Sequence, residues 1–346
     1  MKRIVLCFDG TGNVVRAEGN TNVLQLFRRI DYDPDRQLTF YDPGVGTFSA
    51  AGAWTPLAQR ISRLLGLAFG AGLRTNLEEA YTFVIDHWAP GDEIYIFGFS
   101  RGAYTARAMA GLLCKIGVIR PGSENLVRYV VSTYARRKPK WAKEDWTQEN
   151  QYKALFGRRA NGKYETPVTY LGVWDTVKAP GLLRRSMIWP DTRALPNVVA
   201  GRHAVSIDEK RRPYREYLVD KEKAGNRIDE VWFAGIHSDV GGSYLDPPCL
   251  GDITLNWIAE GAKKAGLEFR DDRPFPVLTP EHVTGPIHKV GWIWALALYR
   301  TRPIPPGARV HDSVRARMQQ QPKYARGRIP SDVEWADPDW LGVGRT

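Results

Sequence analysis

Short apolar runs that stop abruptly at acidic or glycine residues alternate along this chain with longer stretches whose apolar side chains recur every three or four positions. Arg3–Phe8 reads as a first strand, ended by Asp9-Gly10-Thr11-Gly12-Asn13, and Leu38–Asp42 as a second, ended by Pro43-Gly44-Val45-Gly46. Leu57 to Ala71 and Leu73 to Trp88 read as helices; in the latter, Leu77, Ala80, Tyr81, Val84, Ile85 and Trp88 form one apolar stripe. Pro90-Gly91-Asp92 closes that helix. Glu93-Ile94-Tyr95-Ile96-Phe97-Gly98 then has the near-continuous apolar character of a strand buried on both faces. Helical spacing returns from Gly102 to Lys115. Val168–Trp174 and Glu230–Ile236 read as further strands, and the basic stretch between them carries an expected helix at 197–209. Asp252–Ala265 is an amphipathic helix, with Asp252 placed to cap it. Strands alternating with helices predict an α/β fold with a mostly parallel central sheet covered on both faces.

At 346 residues the chain fits a single large α/β domain over 1–346 with insertions. The segment 120–165, rich in Arg, Lys, Trp and Tyr, is expected to be a cap-like insertion, and 270–346 a C-terminal extension packed on the core. A hydrophobic share of 43% against 25% charged excludes intrinsic disorder. The longest uninterrupted apolar stretch, Leu64 to Leu73, is ten residues, and a bilayer needs about 20. No transmembrane segment is expected. The apolar run before Asp9, Ile4 to Phe8, is only five residues, too few for a secretory signal, so the expectation is a protein made in the cytoplasm.

Three scattered cysteines, Cys7, Cys114 and Cys249, make neither a disulfide framework nor a zinc site, and no metal or cofactor is expected. The net charge of +11 favours anionic partners: phospholipid head groups, an acidic substrate or nucleic acid. No nucleic-acid-binding signature accompanies it, so no nucleic-acid partner is expected.

The sharpest chemical signal is Gly98-Phe99-Ser100-Arg101-Gly102. The pattern G-x-S-x-G alone is common. Here a buried strand runs into the serine and a helix leaves directly after it, which is the context of a nucleophile elbow. Glycines at 98 and 102 remove the side chains that would crowd such a turn, leaving Ser100 Oγ near the positive end of the following helix. The other reading is an ordinary strand-to-helix turn with Ser100 as its N-cap.

A serine nucleophile needs a base, and the base an orienting acid, in the chain order Ser, Asp or Glu, His. His237 ends the strand Val231–Ile236 and opens Ser238-Asp239-Val240-Gly241-Gly242, at the kind of strand end where functional groups gather in open α/β sheets. His311, in Val310-His311-Asp312-Ser313-Val314, competes with it but lacks a clear preceding strand; His203 falls in the expected helix. Asp175 follows the strand ending at Trp174 and is the candidate acid, with a simple turn role as its alternative. Asp239 lies too close to His237 to be its obvious partner and is expected to order the loop. For an oxyanion hole, the backbone N–H of Arg101 is one candidate donor, and Gly10 and Thr11 supply the other. Phe8-Asp9-Gly10-Thr11 also matches the first motif of aspartyl-nucleophile phosphatases, but Cys7 stands where their nucleophile would be.

Cys7–Asn13, Gly98–Arg107, Gly172–Val177 and Gly235–Gly242, in that order over residues 4–244, resemble the blocks of an uncharacterised α/β-hydrolase domain family. That family includes the phospholipase effectors of type VI secretion, first lipase family. The resemblance implies an α/β-hydrolase fold and a Ser100–Asp175–His237 hydrolase of acyl esters, with phospholipase A activity as in some members. It also implies delivery to a target cell, with a secretion-system or immunity partner. Gly291–Tyr299, flanked by Lys289 and Arg300, is either a membrane-interface run or a core helix. Two other functions stay open: a thioesterase or amidase on a small soluble substrate, and a non-catalytic lipid- or protein-binding module on a hydrolase scaffold.

Overall fold

A computed structural model describes residues 1–10, 18–44, 69–135, 147–160, 162–177, 189–289 and 299–341. Within them one sheet is built from β1 (Arg3–Phe8), β2 (Gln37–Asp42), β3 (Glu93–Phe99), β4 (Val168–Trp174), β5 (Val198–Ser206), β6 (Ile228–Phe233), β7 (Arg309–His311) and β8 (Glu334–Ala336). Their order is β2-β1-β3-β4-β5-β6-β7-β8, and every neighbouring pair is parallel. The chain steps outward from β1 to β2, then returns to lay β3 on the other side of β1. Loops leaving the carboxyl ends of β1 and β3 therefore diverge, which opens a crevice at that end of the sheet.

Side-chain alternation divides the core. Ile4, Leu6, Phe8, Ile94 and Ile96 face the helices Phe69–His87 and Arg101–Lys115. Val5, Cys7, Tyr95 and Phe97 face the helices Asn22–Phe27 and Leu250–Lys264. Burial on both faces is why these strands read as unbroken apolar runs. Among the described residues this is the expected α/β architecture: a parallel sheet between two layers of helices.

Several local expectations need correction. The stripe from Leu77 to Ile85 lies on the helix Phe69–His87, with Trp88 just past its end, and the helix runs through Gly72 without the expected break; residues 57–68 lie outside the described residues. Residues 197–209 are not a helix but contain β5. Its Gly201 is pressed between neighbours: an added Cβ would lie 2.7 Å from the Leu171 carbonyl oxygen on β4 and 2.8 Å from Ile228 Cδ1 on β6. Pairing on both sides overrides local preference there. The Leu250 helix starts two residues before Asp252, which sits in its first turn and does not cap it. His311 does have a strand before it, since β7 and β8 extend the sheet and, with the helix Asp312–Gln320, cover Val205, Ile207 and Trp232.

In the 120–165 segment, Val127, Val130, Val131 and Tyr134 are buried in the core beside the helix Phe69–His87. The run Arg136–Trp141 lies outside the described residues, as do residues 291–298 of the apolar run. Among the described residues, no helix is long and apolar enough to cross a membrane.

Candidate functional site

Strand β3 delivers Ser100 at its carboxyl end with φ 59° and ψ −118°. That left-handed backbone costs a serine roughly 1–3 kcal/mol, and the end of β4 grips it from both sides. Ser100 N–H donates to the Trp174 carbonyl (3.0 Å), and the Ser100 carbonyl accepts from Val177 N–H (3.4 Å). The flanking glycines are required by close approach. A Cβ at Gly98 would lie 2.5 Å from the Gly102 carbonyl oxygen, and one at Gly102 only 2.2 Å from that of Phe8. Ser100 stands at the N-cap position of the helix Arg101–Lys115, yet its side chain makes no capping hydrogen bond.

The hydroxyl is engaged elsewhere. Ser100 Oγ lies 2.7 Å from His237 Nε2, and His237 Nδ1 lies 2.5 Å from Asp175 Oδ2. All three residues are buried. With Asp175 as a carboxylate, Nδ1 carries the imidazole proton and Nε2 is left to accept from the serine hydroxyl. Asp175 follows β4 with φ 39°, and its N–H donates to the Ala204 carbonyl at 2.7 Å. Its carboxylate does not fold back on its own turn. Oδ1 accepts from Ser206 N–H (2.9 Å) and Arg302 Nη1 (2.6 Å), while Oδ2 accepts from Arg302 Nη2 (3.0 Å) as well as from His237.

Burial pushes the Asp175 carboxyl up, but the Arg302 guanidinium and then His237 outweigh it and hold the group well below the usual carboxylate range. Burial also dominates at His237, lowering it from 6.5 against the opposing pull of Asp175 and Glu209. The imidazole is therefore neutral near pH 7 and fit to accept a proton.

The ring is fixed by packing as well as by polar bonds. Phe99, next to Ser100, stacks on it at 4.6 Å between centroids, and Tyr214 meets it edge-on at 4.9 Å. His237 N–H donates to Glu209 Oε2 (3.2 Å), a buried carboxylate that also takes Arg211 Nη2 (2.7 Å). Asp239 orders the turn as expected: its Oδ2 accepts from Ile236 N–H (2.8 Å), and its Oδ1 lies 2.6 Å from His288 Nδ1.

The turn after β1 abuts the start of the Ser100 helix, since Gly102 approaches the Phe8 and Asp9 carbonyls. Asp9 is a buried anchor whose Oδ2 accepts from Thr21 Oγ1 (2.6 Å) and Tyr41 OH (2.8 Å). Gly10 N–H is directed at Asp9 Oδ1 (2.6 Å) inside this turn. Thr11 lies outside the described residues. Arg101 is the first helical residue, and burial lowers its guanidinium to about 10.

The remaining histidine candidates have other partners. His311 caps the helix Asp312–Gln320 through Nδ1, which accepts from Ser313 N–H (3.3 Å), and its ring stacks on Phe233. His203 stands on β5, correcting its expected helical setting: Nε2 accepts from Thr176 N–H (3.2 Å) and Nδ1 lies 2.9 Å from Glu230 Oε2. Among the described residues, no group of three or more His, Cys, Asp or Glu is arranged to hold a metal ion. Sequence reasoning missed Arg302, Ser206, Glu209 and Tyr214. A strand reading of Val198–Ser206 would have put Ser206 and Glu209 at a carboxyl strand end beside Asp175; nothing local marks Arg302.

Residues 2–261 match the family described as the type VI secretion system phospholipase effector Tle1-like catalytic domain. The chain is 32% identical over 225 residues to an uncharacterised protein of Saccharomyces cerevisiae, a match covering 62% of this chain and 32% of that one. Two solved structures are also similar in part. An uncharacterised protein from Pseudomonas aeruginosa is 21% identical (81% of this chain, 48% of that one, TM-score 0.45). The Tle1 effector bound to the VgrG spike is 18% identical (72% and 52%, TM-score 0.36). The chain thus spans a third of the yeast relative's length and about half of each of these two structures.

Proposed function

The chain belongs to the Tle1-like catalytic-domain family of type VI secretion phospholipase effectors, and from that premise we propose that it is a serine hydrolase of phospholipid acyl esters, phospholipase A-like, working through Ser100, His237 and Asp175. The observation that carries this reading is the hydrogen-bonded series Ser100 Oγ, His237 Nε2, His237 Nδ1 and Asp175 Oδ2, at 2.7 and 2.5 Å. A binding module would have no use for a strained serine whose hydroxyl faces a neutral buried imidazole.

In the proposed reaction Ser100 Oγ attacks the ester carbonyl carbon while His237 Nε2 takes its proton. Asp175 stabilises the imidazolium so formed. The Arg101 N–H at the helix start is the proposed oxyanion donor; Gly10 N–H is directed at Asp9 Oδ1 and is not free for this role as the turn stands. Collapse expels the glycerol-side alcohol, which leaves with the proton from His237. Water, deprotonated by the same imidazole, then attacks the acyl-serine and releases the fatty acid and Ser100.

The substrate proposal is supported by charge next to this site. Lys210, Arg212, Arg215 and Arg300 are exposed, on segments that pair through Arg211 and Tyr299 and carry Tyr214 against His237. An anionic lipid surface would meet them together. Family membership extends the proposal to delivery by a secretion system, with spike and immunity proteins as partners.

The test is hydrolysis of phospholipid vesicles, following released fatty acid and lysophospholipid. The expected result is release by the wild type and a fall of about 10³-fold or more in Ser100→Ala. Cleavage of soluble esters or thioesters with no lipid cleavage would leave an acyl hydrolase of another substrate class. Equal lipid cleavage by both proteins would remove the serine mechanism.

A further inference from the structure

The family match ends at residue 261, yet the carboxylate facing His237 is held by a residue 41 positions further on. Arg302 lies in the C-terminal segment, follows the exposed Thr301 and is itself buried. It addresses both oxygens of Asp175, Nη1 to Oδ1 at 2.6 Å and Nη2 to Oδ2 at 3.0 Å. The same guanidinium donates to the Ser206 carbonyl (3.1 Å) and Oγ (2.8 Å), and to the Tyr214 carbonyl. One planar fork thus ties together the ends of β4 and β5 and the loop whose Tyr214 ring touches His237.

We infer that Arg302 is a positioning residue for the proposed hydrolysis: it fixes the plane of the Asp175 carboxylate against His237 Nδ1, and its charge sets how firmly that carboxylate holds the imidazolium. The inference rests on the Ser100–His237–Asp175 reading and deepens it.

The geometry explains why the residue is arginine. A carboxylate free to turn about its Cβ–Cγ bond presents Oδ2 to the imidazole only part of the time. Two parallel N–H···O bonds stop that rotation, and a lysine ammonium, a point charge, makes no such fork. The second effect is electrostatic. Asp175 is fully buried, and burial alone would push it toward taking up a proton, which would destroy its role as acceptor. Arg302 prevents this and lowers the basicity of the anion. At His237, burial and then Arg211 lower the proton affinity while Asp175 and Glu209 raise it; Arg302 bears on the pair through Asp175. Tyr214 faces the imidazole edge-on. Glu216 lies 3.8 Å from Arg302 Nε, His203 stands on β5 beside β4, and the half-buried Arg101 faces Tyr214.

The test measures kcat and KM on a short soluble ester across pH for the wild type, Arg302→Gln and Arg302→Lys, with the Tm of each. Arg302→Gln should lower kcat by about 10–100-fold at near-constant KM and move the acidic limb of kcat/KM upward by about one pH unit, because a cation beside the pair is gone. Arg302→Lys should keep the limb near its wild-type position, since the charge remains, yet lose kcat by about 10-fold, since the fork does not. Should Arg302→Gln fail to fold, the lysine variant decides: a kcat loss with an unmoved limb supports the inference, and wild-type kcat overturns it. An activity loss in Arg302→Gln that follows Tm alone, with the limb unmoved, also overturns it and leaves a purely structural arginine. A wild type that neither cleaves esters nor takes a fluorophosphonate label on Ser100 removes the underlying reading, and this inference with it; a labelled wild type with unaltered variants removes only the inference.

Discussion

Gly241 and Phe99 touch so closely that a Cβ at 241 would fall 2.0 Å from the Phe99 ring. That ring is the one stacked on His237, so a glycine four residues past His237 makes room for the side chain next to Ser100. Gly241→Ala must displace the ring. The expected outcome is a stability loss of about 1–3 kcal/mol and a fall in kcat of about 10-fold or more as the imidazole loses its stacking partner. Denaturant unfolding and ester kinetics on the same preparation check both. Unaltered kinetics would mean that the stack does not orient His237.

The two competing histidines separate cleanly. His237→Ala should abolish labelling of Ser100 by a fluorophosphonate, because only the base activates the hydroxyl. His311→Ala should keep the labelling and lose about 1–3 kcal/mol of stability, since this side chain caps the helix Asp312–Gln320 and stacks on Phe233. The reverse pattern would transfer the base to His311.

Acid should switch the protein off late. Burial holds His237 below 6.5, so the acidic limb of kcat/KM should lie below the pH of a free imidazole. His203 is likewise lowered by burial, ahead of the opposing Glu230. For a group with a depressed folded value, stability is present above the unfolded value and lost as pH falls through the folded one. Thermal stability should therefore decline as pH drops below about 6.5, with a further loss below the ordinary aspartate range as Asp175 is protonated. A limb above 6.5, or a Tm that rises on acidification through this window, would contradict the electrostatic account.

Surface charge is expected to act on lipid and not on chemistry. The rate on anionic vesicles, divided by the rate on a short soluble ester, should exceed that on zwitterionic vesicles and shrink as salt is raised. In Lys210→Glu/Arg212→Glu/Arg300→Glu this ratio should fall by about 10-fold or more, because each basic residue near such a surface contributes about 1 kcal/mol. A ratio insensitive to salt and to the triple change would remove the anionic surface from the account.

How far the site was legible follows from how local each signal is. Ser100 was readable because strand, turn and helix are contiguous and because Gly98 and Gly102 answer steric demands inside one elbow. Asp175 and His237 were readable as polar residues that end apolar strands. β5 was misread as a helix: its strand character comes from pairing with β4 and β6, which no short window contains. That error also hid Ser206 and Glu209. Arg302 had no local mark at all, since what it does depends on a carboxylate 127 positions away. The setting of His311 is partly of the same kind: Ser313 is local, but the ring it stacks on, Phe233, stands on β6.

We propose that Ser100 is a nucleophile activated by His237 and Asp175. The most direct test is to incubate the native chain with a fluorophosphonate probe, digest it, and locate the adduct by mass spectrometry. One stoichiometric adduct is expected on Ser100, absent after prior denaturation and absent in His237→Ala. Ester turnover without an adduct on Ser100, or an adduct on another residue that accompanies loss of activity, would contradict the proposal.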